Sequence, residues 1–238
     1  MTLRNVRACR AVIFLALASF FVALGGCQRE TDEAFGKRVR TYLLKHPEVL
    51  EETIAQLNAN RTKLAINRNR AAIERDPRDF VANPKGKITV TEFFDYNCTY
   101  CKAAAPQVLA IIRDNPDVRF VFKEYPVLSA DSERASALAI AAKDSGHYIA
   151  LHRQFYSAEG HLDAEGMRAA LAAAGLNPTS IENRALSLQV RQQLVDTHQL
   201  AGELGIEGTP NFVVGDQIVV GGNMDKLMRA INEARRKA

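Results

Sequence analysis

Tryptophan is missing altogether, and aromatic residues reach only 7% of the 238 positions. That poverty disfavours aromatic platforms of the kind that stack on sugars. Cysteine is scarce too, with four in all, too few for a mini-protein stapled by several disulfides. Charge of one sign is missing once the N-terminus is set aside. Arg4, Arg7 and Arg10 occupy residues 1–26 without an acid; taking these three from 31 basic residues leaves 28 against 27 acidic ones, a net +1. Phosphate backbones are bound by clustered surplus cations, so no nucleic-acid partner is expected. Long apolar runs are also missing. A bilayer-spanning helix takes about 20 residues, and the longest run here, Ala11–Leu24, falls short of that. The rest is ordinary globular composition, 47% hydrophobic and 24% charged, with room for one fair-sized domain and an additional segment.

Three arginines followed by AVIFLALASFFVAL have the layout of an export signal, a charged start and a short apolar centre. The run closes in Leu24-Gly25-Gly26-Cys27, small residues directly ahead of a cysteine. This resembles the lipobox of bacterial lipoproteins, which implies lipidation of Cys27 and a lipid anchor there. An ordinary cleaved signal with a nearby cysteine is the alternative. On either reading residues 1–26 are a signal peptide, and the mature chain lies in the periplasm or cell envelope.

Cys9 leaves with the signal, and Cys27 is acylated or terminal. Cys98 and Cys101 remain, separated by Thr99-Tyr100. That spacing is too tight to staple distant segments; it suits a reactive dithiol or half of a metal site. Zinc takes about four ligands, and His46, His147, His152, His161 and His198 are scattered with no pair at i, i+4. No metal and no cofactor is therefore expected. Copper(I), which accepts two soft thiolates, is the metal alternative that survives. His147 and His152 are expected to face solvent from a helix.

Along the chain, Thr31 to about Arg78 reads as polar and helical. Apolar positions recur at Phe35, Val39, Tyr42 and Leu43, then at Leu50, Ile54, Leu57 and Leu64. Pro47 divides it into helices over about 32–45 and 47–75. Asp79–Gly86 reads as a linker or turn. Ile88–Phe94 is a β-rich run, Cys98 opens a helix to about Arg113, and Val118–Glu124 is a second strand. Together they make a right-handed βαβ unit with parallel strands. About 130–204 is Ala-rich and helical, broken near Gly175 and Pro178 and ended by Gly205. Asn211–Val214 and Gln217–Val220 form a hairpin around Gly215-Asp216, and Asn223–Ala238 is a closing helix.

This order, βαβ, a helical block, ββ and α, resembles the DsbA-like family of thiol:disulfide oxidoreductases. The residues that carry the likeness are Glu92-Phe93-Phe94-Asp95-Tyr96-Asn97-Cys98-Thr99-Tyr100-Cys101-Lys102 and Gly208-Thr209-Pro210. The implied fold is α/β, a thioredoxin fold with an inserted α-helical domain and an N-terminal helical extension. The implied divisions are 1–26 signal, 27–86 extension and 87–238 catalytic domain, with the insertion at about 130–204. Tyr42–Leu50 resembles the extension of envelope members of the copper-sensitivity-suppressor type, some of which oligomerise through it. A homo-oligomer built on that segment is expected; a helix that caps the catalytic domain is the alternative.

Disulfide exchange needs a thiolate at working pH. At a helix N-terminus Cys98 faces unpaired N–H groups and the positive end of the macrodipole. It is the expected nucleophile, and Cys101, one turn inward, the resolving thiol. The resemblance adds a cis Pro210 beside the dithiol and makes the Thr209 backbone a pairing site for substrate. It also makes Glu92 a buried acid that aids proton transfer, with Lys123 as its charge partner. Thr99-Tyr100 replaces the Pro-His of the best-known oxidases, which removes one stabiliser of the thiolate. The implied function is formation or rearrangement of disulfides in cysteine-containing envelope proteins, served by a membrane redox partner. A copper- or zinc-handling envelope protein using the same cysteine pair is the alternative from another class.

Overall fold

The computed structural model describes residues 32–237. The signal segment and Cys27 lie outside the described residues. The chain forms two compact units, one reaching Gln56 and one beginning at Leu57.

In the first unit, α1 (Asp32–Lys45) starts on Asp32 and Glu33 and ends on Lys45, charges that complement its dipole. None of its residues is buried. His46-Pro47 separates it from α2 (Glu48–Glu74), because proline cannot supply the N–H that would continue the first helix. Phe35, Tyr42, Leu50 and Ile54 all stand exposed. The apolar spacing seen in the sequence thus marks a stripe that the described chain leaves open to solvent.

The second unit is built on a five-stranded sheet in the order β1-β3-β2-β4-β5. Its strands are β1 (Phe80–Ala82), β2 (Ile88–Phe94), β3 (Val118–Glu124), β4 (Asn211–Val214) and β5 (Gln217–Val220). β2 and β3 are parallel, as a crossover through α3 (Thr99–Asp114) requires. β1–β3, β2–β4 and β4–β5 are antiparallel. The stretch expected as a linker therefore contains a strand. β1 is too short to show a period, and it is held by pairing Phe80 with Phe122 and by stacking Phe80 on Tyr148 at 4.1 Å. Gly86, just after it, comes so close to β3 that a Cβ would lie 2.4 Å from the Arg119 nitrogen.

Strand alternation sorts the core into two layers. Val90, Phe94, Val118, Phe120, Phe122, Phe212 and Val214 face α3, the closing helix α9 (Met224–Lys237) and most of the inserted helices. Phe93, Val213 and Tyr125 face the other way, onto Ile66 and Ile73 of α2 and onto Leu200, Ala201 and Leu204. Ile66 and Ile73 are fully buried, worth about 1.5–3 kcal/mol each in removed apolar surface. The Ile73 carbonyl accepts from the Thr91 hydroxyl and the Glu74 carbonyl from Arg119, which pins the end of α2 to the sheet.

The insertion is divided more finely than its alanine content suggests. It comprises α4 (Ala130–Ala142), a short 3₁₀ turn, α5 (Tyr148–Ser157), α6 (Ala164–Ala173), α7 (Pro178–Ala185) and α8 (Leu188–Leu204). Ser129, Asp163, Asn177 and Ser187 cap four of these helices by accepting a backbone N–H. Gly205 ends α8 in the left-handed region, φ 69°.

Candidate active site

β2 runs directly into the dithiol. Asp95 turns the chain by accepting from the Asn97 amide with one oxygen and from the Val127 and Leu128 amides with the other. Asn97 exchanges a second contact with the loop before α6, its Oδ1 accepting from the Leu162 amide at 2.7 Å. Lys102 ties the same region down by donating to the Ala158 and Gly160 carbonyls. Cys98 is thereby fixed as the N-cap of α3, and its sulfur accepts from the Cys101 amide at 3.4 Å.

The two sulfurs are free and unequal. Cys98 is lowered to about 5, chiefly because the Cys101 thiol donates to its sulfur; burial opposes this, while Thr209 and the Cys101 and Tyr100 amides add to it. In its protonated form Cys98 donates to the Thr209 carbonyl at 3.3 Å. Burial pushes the Cys101 thiol far up, reinforced by its hydrogen bond to Cys98 and by the Glu92 carboxyl nearby. Cys101 is 1% exposed. One sulfur is held as an anion at neutral pH and the other as a thiol.

Thr209 and Pro210 face the pair from the β4 side, and the peptide between them is cis. The Pro210 carbonyl accepts from Gly221. A Cβ on Gly222 would touch Ala104, the Tyr100 carbonyl and Pro210, so the strand end, the dithiol helix and the proline meet there. Tyr100 projects outward, 72% exposed.

The expected Glu92–Lys123 pair is not formed. Parallel register sets Glu92 beside Phe122 and Lys123 beside Phe93, so the two side chains leave the sheet on opposite faces. Lys123 pairs instead with Asp79, Nζ to Oδ2 at 2.5 Å, both buried. It stands away from the dithiol. Glu92 lies on the dithiol face, raised to about 8 by burial and by Glu124.

His152 does not face solvent either; of the pair His147 and His152, it is His147 that is exposed. α5 packs its Tyr148, Leu151, His152 and Phe155 stripe inward, and burial lowers His152 to about 3. Tyr96, Glu124, Tyr148 and His152 form a buried polar cluster that sequence reasoning missed. The available signal was Glu124 itself. Strand alternation from Phe120 and Phe122 puts this carboxylate on the core side.

A dithiol of opposed acidities, N-capping a helix after a central strand and facing a cis-proline, defines the thioredoxin-fold dithiol proteins. Residues 89–232 match the DSBA-like thioredoxin domain, and residues 33–63 match the copper resistance protein ScsC N-terminal domain. The chain belongs to the DSBA-like thioredoxin domain family, with a helical insertion in the fold and N-terminal helices before it. It is similar to a thioredoxin-like oxidoreductase from Silicibacter pomeroyi, 35% identical over 71% of this chain and 99% of that one, TM-score 0.69. A linker-deletion mutant of ScsC from Proteus mirabilis is 26% identical over 90% of this chain and 100% of that one, TM-score 0.74. The thiol:disulfide interchange protein DsbA of Bordetella pertussis is 29% identical over 55% of this chain. The chain spans 64% of that DsbA and 25% of a Na(+)/H(+) antiporter NhaA 1 from Salinispora arenicola, which it also resembles at 25% identity over 67% of its own length. Among the described residues no helix is long and apolar enough to cross a membrane.

Proposed function

We propose that this chain is an exported thiol:disulfide oxidoreductase that forms or rearranges disulfides in cysteine-containing envelope proteins. The inequality of the two sulfurs carries the reading. The Cys98 thiolate attacks a substrate disulfide, a Cys98–substrate S–S bond forms, and one substrate sulfur leaves as a thiolate. Cys101 then gives up its proton and attacks the Cys98 sulfur. The mixed disulfide breaks, the second substrate sulfur leaves as a thiolate, and Cys98–Cys101 is left oxidised while the substrate has gained two electrons. Run backwards, the same steps oxidise a substrate dithiol. Thr209 and Pro210 border the Cys98 sulfur, where an extended substrate segment can pair with the Thr209 backbone. Cys101→Ser should accumulate mixed disulfides through Cys98. Turnover by a Cys98→Ser variant would overturn the assignment.

Location and partners belong to the same proposal. The Arg4–Cys27 segment supports export and lipidation of Cys27, and repeated turnover needs a redox partner, proposed in the membrane, that resets the dithiol. Intact-mass measurement of membrane-extracted protein tests the anchor, since an unmodified N-terminus would remove it. The exposed Phe35, Leu50 and Ile54 support self-association, which brings several dithiols together for bridge shuffling. Because Ile66 and Ile73 are part of the catalytic unit's core, the test is substitution rather than truncation. Phe35, Leu50 and Ile54 replaced by Ser should give a smaller species in sedimentation and lose isomerase activity. Unchanged sedimentation would return the stripe to a capping role. The likeness to the ScsC N-terminal domain keeps copper in view. Tight Cu(I) binding by the reduced pair without insulin reduction would favour the metal-handling alternative.

A further inference from the structure

β2 and β3 each send a carboxylic acid into the dithiol face of the core. Glu92 and Glu124 are both 3% exposed. Among the described residues no ion pair reaches either of them; the lysine of these strands, Lys123, is committed to Asp79 on the far face. Two like charges in a low-dielectric interior cannot both ionise near neutral pH, so the pair titrates as a unit.

Hydrogen bonding decides which of the two carries the first charge. The Tyr148 hydroxyl donates to Glu124 Oε1 at 2.7 Å, and the Tyr96 hydroxyl approaches the same oxygen at 3.2 Å. Two donors converging on one carboxylate oxygen favour the anion. His152 Nδ1 lies 3.2 Å from the Tyr96 hydroxyl, so Tyr96 sits between an imidazole and a carboxyl and can pass a proton either way. The Ser136 hydroxyl is a third group that favours the Glu124 anion, although neither it nor Glu124 Oε2 reaches full hydrogen-bond geometry. Among the described residues no tyrosine hydroxyl donates to Glu92. Its charged and titratable neighbours are Glu124, Cys101, Tyr96 and Tyr156, and Asp95 adds negative field around Glu124.

We propose that Glu124, held by Tyr148 and Tyr96, is a positioning residue for the dithiol reaction: it takes the negative charge of the buried carboxyl pair and so keeps Glu92 protonated. The inference rests on Cys98 being the nucleophile and Cys101 the resolving thiol. In the resolving step the Cys101 proton passes to Glu92, the new thiolate attacks Cys98, and the substrate sulfur leaves as a thiolate. A Glu92 that still holds its proton cannot accept another. Resolution is therefore slow at neutral pH and accelerates as Glu92 ionises. Burial pushes both carboxyls up to about 8, so the first charge appears on Glu124 just above neutrality and Glu92 ionises only at higher pH. A mixed disulfide that waits has time to be re-sorted, which suits rearrangement over one-way oxidation.

The test uses the full reduced chain with Cys9 and Cys27 replaced by Ser, which leaves Cys98 and Cys101 as its thiols, and 5,5′-dithiobis(2-nitrobenzoate). Cys98 takes one thionitrobenzoate and releases another; attack by Cys101 then releases the second, followed at 412 nm from pH 5 to pH 10. In the wild type the second release should rise with pH through the later ionisation of the pair, that of Glu92, with a midpoint above 8. Glu124→Gln should move this midpoint down by about one pH unit, giving about tenfold faster release at neutral pH. Tyr148→Phe withdraws one donor from Glu124 and should move it the same way by less, and it serves should Glu124→Gln fail to fold. Midpoints unchanged in the folded variants would overturn the role of Glu124. Absence of the first release, or its survival in Cys98→Ser, would instead overturn the functional reading beneath it.

Discussion

The two faces of the sheet bury ionisable pairs of opposite kinds. On the face covered by α2 and α8, Lys123 and Asp79 form an ion pair. Burial still raises Asp79 to about 6 against the pull of Lys123, so even this contact does not fully offset the cost of leaving water. On the dithiol face, no cation pairs with Glu92 or Glu124 among the described residues, and burial raises both to about 8. An ion pair holds its charges fixed and contributes architecture. A pair of like acids holds a proton loosely near neutral pH and can exchange it with a reacting thiol. The proposed chemistry lies on the face whose charges are left unsettled.

Substitutions on the two faces should therefore fail in different ways. The largest effect belongs to Cys98→Ser, which should reduce insulin-reduction turnover to the uncatalysed background while leaving the urea midpoint nearly unchanged at pH 5, where the thiolate adds little stability. Lys123→Met should do the reverse. It strands Asp79 in the core and should cost about 3–5 kcal/mol in urea unfolding, while the Cys98 thiolate, read by absorbance at 240 nm, keeps its midpoint near 5. A shift of that midpoint by a whole unit would break the separation of the faces. Ile73→Ala, a fully buried truncation on the same far face, should cost about 2–4 kcal/mol, again with the thiolate unmoved.

A smaller effect sharpens the contrast through pH. Cys98 falls from an ordinary 9.0 to about 5 in the fold. Its contribution to stability is full above pH 9 and is lost as the pH falls through 5. The carboxyl pair rises from 4.5 to about 8. Its contribution is full below 4.5 and is lost as the pH rises through 8. In the reduced protein the two slopes oppose each other. Cys98→Ser should leave only the second, so its stability should drop more steeply than wild type between pH 5 and 8. Equal slopes in urea titrations at pH 5, 6.5 and 8 would refute the depressed Cys98. The smallest effect is expected at Tyr100, 72% exposed, where Ala should change stability by less than about 0.5 kcal/mol.

What could be read from residue order was whatever obeys short-range rules. The βαβ unit, the Gly215-Asp216 hairpin and the placement of Cys98 at a strand-to-helix junction depend on alternation, on turn chemistry and on where a helix can begin. A three-residue strand such as β1 carries too little pattern to be seen, and in the sequence it reads as a linker. The burial of His152 escaped for a related reason. One histidine in an amphipathic helix is consistent with either side until the helix has something to pack against.

The sequence alone determined that Cys98 and Cys101 share one helical turn, with the first cysteine exposed to the helix's free N–H groups, because that arrangement is local. Only the tertiary structure decided that Glu92 shares its face with Glu124 and not with Lys123. Glu92 and Lys123 stand on strands separated by a whole helix, and which face each occupies follows from the parallel register. A shift of one residue in that register would exchange Lys123 for Glu124 on the dithiol face.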